Sequence, residues 1–360
     1  GFNAPEHVLD EVANNIQKSQ GYSDSKGLLS AREAIREYCS EIGISKVEIE
    51  DIYIGNGVSE LVVLALQGLI NNGDEILIPS PDFPLWTAAT SLCGGMPVHY
   101  LCDELSDWQP NIEDIKQKVS TQTKAIVLIN PNNPTGSVYD KETIEAILEI
   151  ARANHLVVFA DEIYDKIIFD DSKYYPTASL AEDLLIITFS GLSKSYQVAG
   201  FRTGWMIVSG NKNLAHDYIE GLDILSSMRL CSNVPTQHAV AVALRGKQDY
   251  KKLTMPGGRL YEQRNLAYQM LNQVEGITCV KPMGGLYLFP KLDRQLFNIL
   301  DDEQFVLDLL QEQHVLVVQG SGFNWKTPDH FRMVFLPESS VIEEAIGRID
   351  KFLSNYQQKN

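Results

Sequence analysis

No two cysteines in this sequence stand at C-x-x-C spacing, and no two histidines at H-x-x-x-H spacing. With five cysteines, an odd number, and seven scattered histidines, neither a disulfide framework nor a metal site is expected. Cys39, Cys93, Cys102, Cys231 and Cys279 read as free, mostly buried thiols, the habit of a reducing compartment. No apolar run reaches the roughly 18 residues that a membrane helix needs. The opening GFNAPEHVLDEVANN has no basic n-region and no apolar h-region, so no signal peptide is expected and the cytoplasm is the expected location. Basic charge is scarce too. Thirty Lys and Arg against 47 Asp and Glu leave a net charge of −17. That argues against a nucleic-acid or anionic-membrane binder, although a local pocket for a small anion is compatible with it. Neither G-x-G-x-x-G nor a Walker A loop is present, which counts against a nucleotide-binding α/β protein. Internal repeats and low-complexity tracts are missing as well.

What is there is an ordinary globular composition: 360 residues, 44% hydrophobic and 21% charged. The length allows about two domains with a large core. From about residue 50, strand-like and helix-like runs alternate. DIYIGNG, EILIPSP, MPVHYLC, KAIVLINP, LVVFADEIY, LLIITFS and GWMIVSG read as strands. VSELVVLALQGLINNG, PLWTAATSLCGG and KETIEAILEIARANH read as helices, the last with apolar spacings of three and four. Such alternation predicts an α/β fold with a mostly parallel sheet covered on both faces. After about residue 245 the texture becomes α+β. GGRLYEQRNLAYQMLNQV and DEQFVLDLLQEQ are predicted helices, and ITCVKP with GLYLFPKL a predicted strand pair around a Gly-Gly turn. VLVVQG and FRMVFLP follow as strands, and a last helix starts near Ser339.

Ligands of open α/β sheets sit beyond the carboxyl ends of the strands, so the loops there carry the argument. GNGVSE ends a strand and opens a helix, where Gly57, Val58 and Ser59 offer N–H groups and a hydroxyl to a phosphate. A plain turn with Ser59 as N-cap explains the same residues. In INPNNPTG the prolines stiffen the loop and Asn133 can aim its amide at a ligand, or the loop is turn chemistry alone. Asp161 closes the apolar strand LVVFA, where a carboxylate is costly without a cation or donor, and Tyr164 lies within reach of the same place. Lys194 follows LLIITFS among small residues, with Arg202 eight positions on. Alone, a lysine is a solvated charge. Together, these groups are what a pyridoxal phosphate enzyme needs: a Schiff-base lysine, an acid opposite the pyridine nitrogen, a phosphate cup, a donor to the ring oxygen and a stacking aromatic, here Phe83.

NPNNPTG, DEIY, SKSYQVAGFRTGW and HFRMV, in that order, resemble the motifs of the class I aminotransferases of the fold-type I pyridoxal phosphate family. The resemblance covers nearly the whole chain. YIGNGVSEL, ADEIYDK, SMRLCSNVP and GGRLYEQRN bring it nearest to the bacterial glutamate–pyruvate (alanine) aminotransferases. It implies a large domain over 35–245 with a sheet of the seven-stranded type. It also implies a smaller domain made from 1–34 and 246–360. The cofactor is expected to be pyridoxal 5'-phosphate, and the reaction a ping-pong transfer of amine from alanine to 2-oxoglutarate.

The resemblance further implies a role for each matched residue. Lys194 is the Schiff-base lysine and proton shuttle, Asp161 the partner of the pyridine nitrogen, and Tyr164 and Asn133 the donors to the phenolic oxygen. Phe83 stacks on the ring. Gly57, Val58, Ser59 and Arg202 hold the phosphate, with Ser190 or Ser193 beside them. Arg332 forks the substrate carboxylate, with Asn133 beside it. Tyr22 matches the tyrosine that relatives send to the neighbouring subunit's phosphate, hence an expected homodimer. Here Gly191 stands where many relatives have the serine of Ser-x-x-Lys, and Phe83 where many have Tyr or Trp. The family's N-terminal arm is expected to precede GFNAPEHV. Arg229 is a candidate partner for a substrate's second carboxylate, against a structural place on an interdomain face. An aromatic or kynurenine aminotransferase, or a carbon–sulfur β-lyase, would use the same Lys194 and Asp161. A non-catalytic relative would have lost them.

Overall fold

The computed structural model describes residues 3–246 and 250–359. Its main sheet contains β1 (Ile52–Asn56), β2 (Glu75–Ser80), β3 (Met96–Asp103), β4 (Gln109–Pro110), β5 (Thr123–Ile129), β6 (Val157–Asp161), β7 (Leu185–Gly191) and β8 (Thr203–Gly210). The strands lie in the order β1-β8-β7-β6-β5-β2-β3-β4. From β3 to β7 every pair is parallel, while β8 runs antiparallel to both of its neighbours. The sheet has one strand more than the seven expected. The addition is the two-residue β4, which pairs antiparallel with β3 at the edge and has no apolar run to betray it.

Period-two alternation assigns each strand residue to one of two cores. Ile54, Leu77, Ile126, Leu128, Val158, Ala160 and Ile186 face one side, under helices Leu29–Glu41, Lys141–Ala153 and Val234–Arg245. Tyr53, Ile76, Val127, Phe159, Ile187, Phe189 and Met206 face the other, under Val58–Leu69, Leu85–Leu92 and His216–Met228. Burial on both faces is why these strands read as unbroken apolar runs. The helices are fixed by local chemistry as well. In Lys141–Ala153, Asp140 caps the start by accepting from the Thr143 N–H at 2.7 Å, and Ile144, Ile147, Leu148 and Ala151 form the buried stripe.

A third core joins helices Arg259–Leu271, Asp302–Gln313 and Ser339–Leu353 to short strands. These are β9 (Ile277–Thr278), β10 (Tyr287–Leu288), β11 (Lys291–Leu292), β12 (Val318–Gln319) and β13 (Phe331–Val334). The run GLYLFPKL, expected as one strand, is divided. Its first half, β10, pairs with β13, and its second half, β11, pairs with β9. Pro290 stands between them and has no N–H to continue a ladder. Tyr164, Ile167 and Phe169, which follow β6, pack into this third core and tie it to the sheet's carboxyl edge. All five cysteines are free, and Cys39, Cys102 and Cys279 are buried. Among the described residues no helix is long and apolar enough to cross a membrane.

Candidate active site

The carboxyl ends of the parallel strands converge on one cavity of about 250 Å³. Its walls include Val58, Ser59, Phe83, Asn133, Asp161, Tyr164, Lys194, Arg202 and Arg332, from seven separate stretches of the sequence. Asp161 is the last residue of β6, and Lys194 lies three residues beyond β7, its parallel neighbour. Adjacent strands that run the same way must release their loops at the same edge, so the acid and the amine meet there.

At one end stands the amino end of helix Val58–Leu69, whose first N–H groups have no partner within the helix. Gly57 is its N-cap at φ 83, so the cap is not Ser59, which lies inside the first turn. A Cβ on Gly57 would come within 2.5 Å of Arg202 Nη2, so only glycine allows that guanidinium to lie against the turn. Arg202 is itself held in a left-handed conformation, and its Nη1 donates to the Ala199 carbonyl at 3.0 Å. Helix dipole and guanidinium together make an anion cradle.

The carboxylate of Asp161 lies buried deeper in the pocket. It accepts from the Trp86 indole N–H at 3.1 Å and from the Ile163 N–H at 3.4 Å. Burial pushes its pKa upward, and the two donors and Lys194 oppose that shift. Lys194 Nζ lies 5.8 Å from the centre of the Tyr164 ring. Arg332, on β13, donates from Nη1 to the Asn133 side-chain oxygen at 3.0 Å, and its guanidinium sits 4.4 Å from the Tyr287 ring and 4.5 Å from the Phe323 ring. Its Nε is buried without a partner, and burial lowers its pKa. Among the described residues neither Asp161, Lys194 nor Arg332 forms an ion pair, in a chain with many elsewhere. Three unpaired charges facing one cavity suit a ligand that carries their complements. The cavity can take a flat ring against Phe83, an anion at the helix terminus and a carboxylate at Arg332.

Three expected residues stand apart from this cavity. Ser190 is buried in β7 opposite Trp205, and Ser193 lines the pocket instead. Tyr22 is 82% exposed and lines none of it. Arg229 is committed within the chain: its Nη2 donates to the carbonyls of Ser25 and Ile54 at 3.1 and 2.8 Å, and it pairs with Glu60 at 3.2 Å. It therefore takes the structural place weighed for it. Sequence reasoning missed Trp86 and Tyr287. Trp86 could have been found as the aromatic three residues after Phe83, since a buried indole N–H needs an acceptor. Tyr287 had no local signal, because its place depends on pairing with a strand more than 40 residues away.

The family profile described as aminotransferase class I and II matches residues 2–349. Glutamate-pyruvate aminotransferase AlaA of Haemophilus influenzae is 58% identical over 358 residues, which is 99% of this chain and 89% of that protein. An alanine aminotransferase of Mycobacterium tuberculosis is 53% identical over 99% of this chain and 84% of its own length. Among solved structures, an aminotransferase from Escherichia coli superposes with a TM-score of 0.99 at 56% identity, covering 100% of this chain and 89% of that one.

Proposed function

The chain belongs to the class I and II aminotransferases, and from that premise we propose that it transfers the amine of alanine to 2-oxoglutarate, giving pyruvate and glutamate, with pyridoxal 5'-phosphate as cofactor. The observation that carries the reading is the convergence of an amine, an acid and a guanidinium, none ion-paired among the described residues, on one cavity with an anion cradle at its end. The alanine and glutamate assignment draws on relatives 53% and 58% identical that bear those names.

The residues present fit the cofactor. Lys194 supplies the primary amine, and Phe83 a flat apolar wall. Val58, Ser59 and Arg202, with Ser193, supply donors for a phosphate, and Gly57, whose N–H is given to the Gly55 carbonyl, shapes the turn that presents them. Asp161, whose pKa burial raises and the Trp86 and Ile163 donors oppose, would face the pyridine nitrogen as its charge partner. When bound, pyridoxal phosphate supplies a sink for the electron pair left when the α-carbon loses its proton. Lys194 would hold the cofactor through Nζ and, as a primary amine at the reacting centre, would take up the proton of the substrate α-carbon. Tyr164 and Asn133 would donate to the phenolic oxygen. Arg332 forks the substrate's α-carboxylate, its orientation set by Asn133 and by the two rings that flank it.

A homodimer is the assembly in which Tyr22, an exposed tyrosine that does not line its own chain's cavity, would serve the partner's phosphate. Sedimentation of the cofactor-loaded protein as a monomer would contradict that assignment. The five free cysteines support a reducing, cytoplasmic setting. The test of the reaction is pyruvate formation from alanine. It should depend on 2-oxoglutarate and give parallel reciprocal plots as the second substrate varies. Pyruvate and ammonia released from a β-substituted substrate without any oxo acid would favour the carbon–sulfur lyase. Faster turnover of aromatic amino acids would keep the family and overturn the substrate.

A further inference from the structure

Tyr287 belongs to both halves of the cavity. Its hydroxyl lies 2.9 Å from that of Tyr164, and the two rings meet edge to face, 5.9 Å apart at 81°. The Arg332 guanidinium lies 4.4 Å from the centre of the Tyr287 ring. Strand register makes this contact. Tyr287 pairs with Val334, so Arg332, two residues back on the same strand, is its diagonal neighbour on the same face.

Of two phenols in contact, one donates and the other accepts. Tyr164 is buried and its hydroxyl has no other hydrogen-bond partner among the described residues. A Tyr164 that donated to Tyr287 would have no proton left for a ligand. We propose that Tyr287 is a positioning residue that donates to Tyr164, leaving the Tyr164 proton for the cofactor's phenolic oxygen, while its ring steadies Arg332 for the substrate carboxylate. The inference rests on the pyridoxal phosphate reading. A phenol that accepts a hydrogen bond becomes a better donor itself, so the Tyr287 hydroxyl strengthens the bond that Tyr164 makes. One side chain thereby serves the cofactor's protonation through its hydroxyl and the substrate's carboxylate through its ring.

Two variants separate the two roles. Tyr287→Phe keeps the ring and loses the hydroxyl, and Tyr287→Leu loses both. The first readout is the pH midpoint of the visible absorbance of cofactor-loaded protein. The second is affinity for propionate, a carboxylate that has no amine to react. Tyr287→Phe is expected to raise the midpoint by about half a unit, since a weaker donor stabilises the anionic phenolic oxygen less. Its propionate affinity should stay within about twofold of the parent. Tyr287→Leu is expected to raise the midpoint similarly and to weaken propionate about tenfold. An unmoved midpoint in Tyr287→Phe, or equal loss of propionate affinity in both variants, would overturn the proposal. A parent protein with no Lys194-dependent visible band would overturn the cofactor reading and this proposal with it; that outcome is distinguishable because the parent fails before any variant is made.

Discussion

At the scale of single residues, the site is a set of unpaid electrostatic costs. Asp161 is a buried carboxyl group that accepts from neutral donors, and among the described residues Lys194 and Arg332 form no ion pair. Each is expected to respond to substitution in its own way. Lys194→Ala removes the one primary amine that lines the cavity among the described residues, so borohydride treatment of cofactor-loaded protein should leave no pyridoxyl mass on the peptide containing position 194. Finding that adduct elsewhere in the cavity would displace Lys194 from its role. Trp86→Phe removes the closer of Asp161's two donors and keeps most of the aromatic packing. A charge with fewer hydrogen bonds has a higher pKa, so cofactor should be held more weakly, by about tenfold in its dissociation constant if the lost bond is worth about 1.5 kcal/mol. An unchanged dissociation constant would show that the indole is only packing.

At the scale of elements, the decisive feature is the turn that leads from β1 into helix Val58–Leu69. Gly57 sits at φ 83, a conformation an L side chain rarely adopts, and a Cβ there meets Arg202. Gly57→Ala is expected to push Arg202 away from the helix terminus, so inorganic phosphate and cofactor should both bind less tightly while secondary structure by circular dichroism is unchanged. Equal phosphate affinity would mean that the cradle lies elsewhere. Elements of this kind were legible in the sequence where their determinants are local. Doubly buried strands such as β5 read as apolar runs. Helix Lys141–Ala153 shows its cap and its stripe, and the loops bearing Asp161 and Lys194 follow strands plain enough to place both at one edge. What was hidden depends on pairing at a distance. The two-residue β4 has no pattern of its own. GLYLFPKL looks continuous until Pro290 divides it between two partners, and Tyr287 reaches the cavity only because β10 lies beside β13. Arg229 pointed the other way: its residue type suggested a ligand, while its partners, Glu60 and two carbonyls, come from segments far off in the chain.

At the scale of the whole molecule, buried acids set the response of stability to pH. Asp82 is fully buried, and among the described residues it forms no ion pair. It accepts from Asn324 Nδ2 at 2.6 Å and Thr87 Oγ1 at 3.2 Å, and burial raises its pKa from 3.8 to about 7. Between those two values the folded chain keeps the proton and the unfolded chain releases it, so stability falls as pH rises through that window. Glu162, also buried and raised to about 7, adds a fall of the same sign. Asp82→Asn removes one of these contributions, so the loss of stability between pH 5 and 7 in urea denaturation should be smaller than the parent's. A slope identical to the parent's would show that Asp82 is ionised throughout. The same bonds join the loop after β2, which carries Phe83, to the turn Gly320–Phe323 beside Arg332, so the fold binds the two walls of the cavity to each other.

The most direct test of transamination is a half-reaction. Cofactor-loaded protein is mixed with alanine alone, and then with glutamate alone, and its absorbance is followed without any oxo acid. Each amino acid should convert one equivalent of cofactor to its amine form with release of one equivalent of its oxo acid, and pyruvate or 2-oxoglutarate should reverse the change. A cofactor band that neither amino acid alters, or continuous release of ammonia and pyruvate beyond one equivalent, would contradict the account.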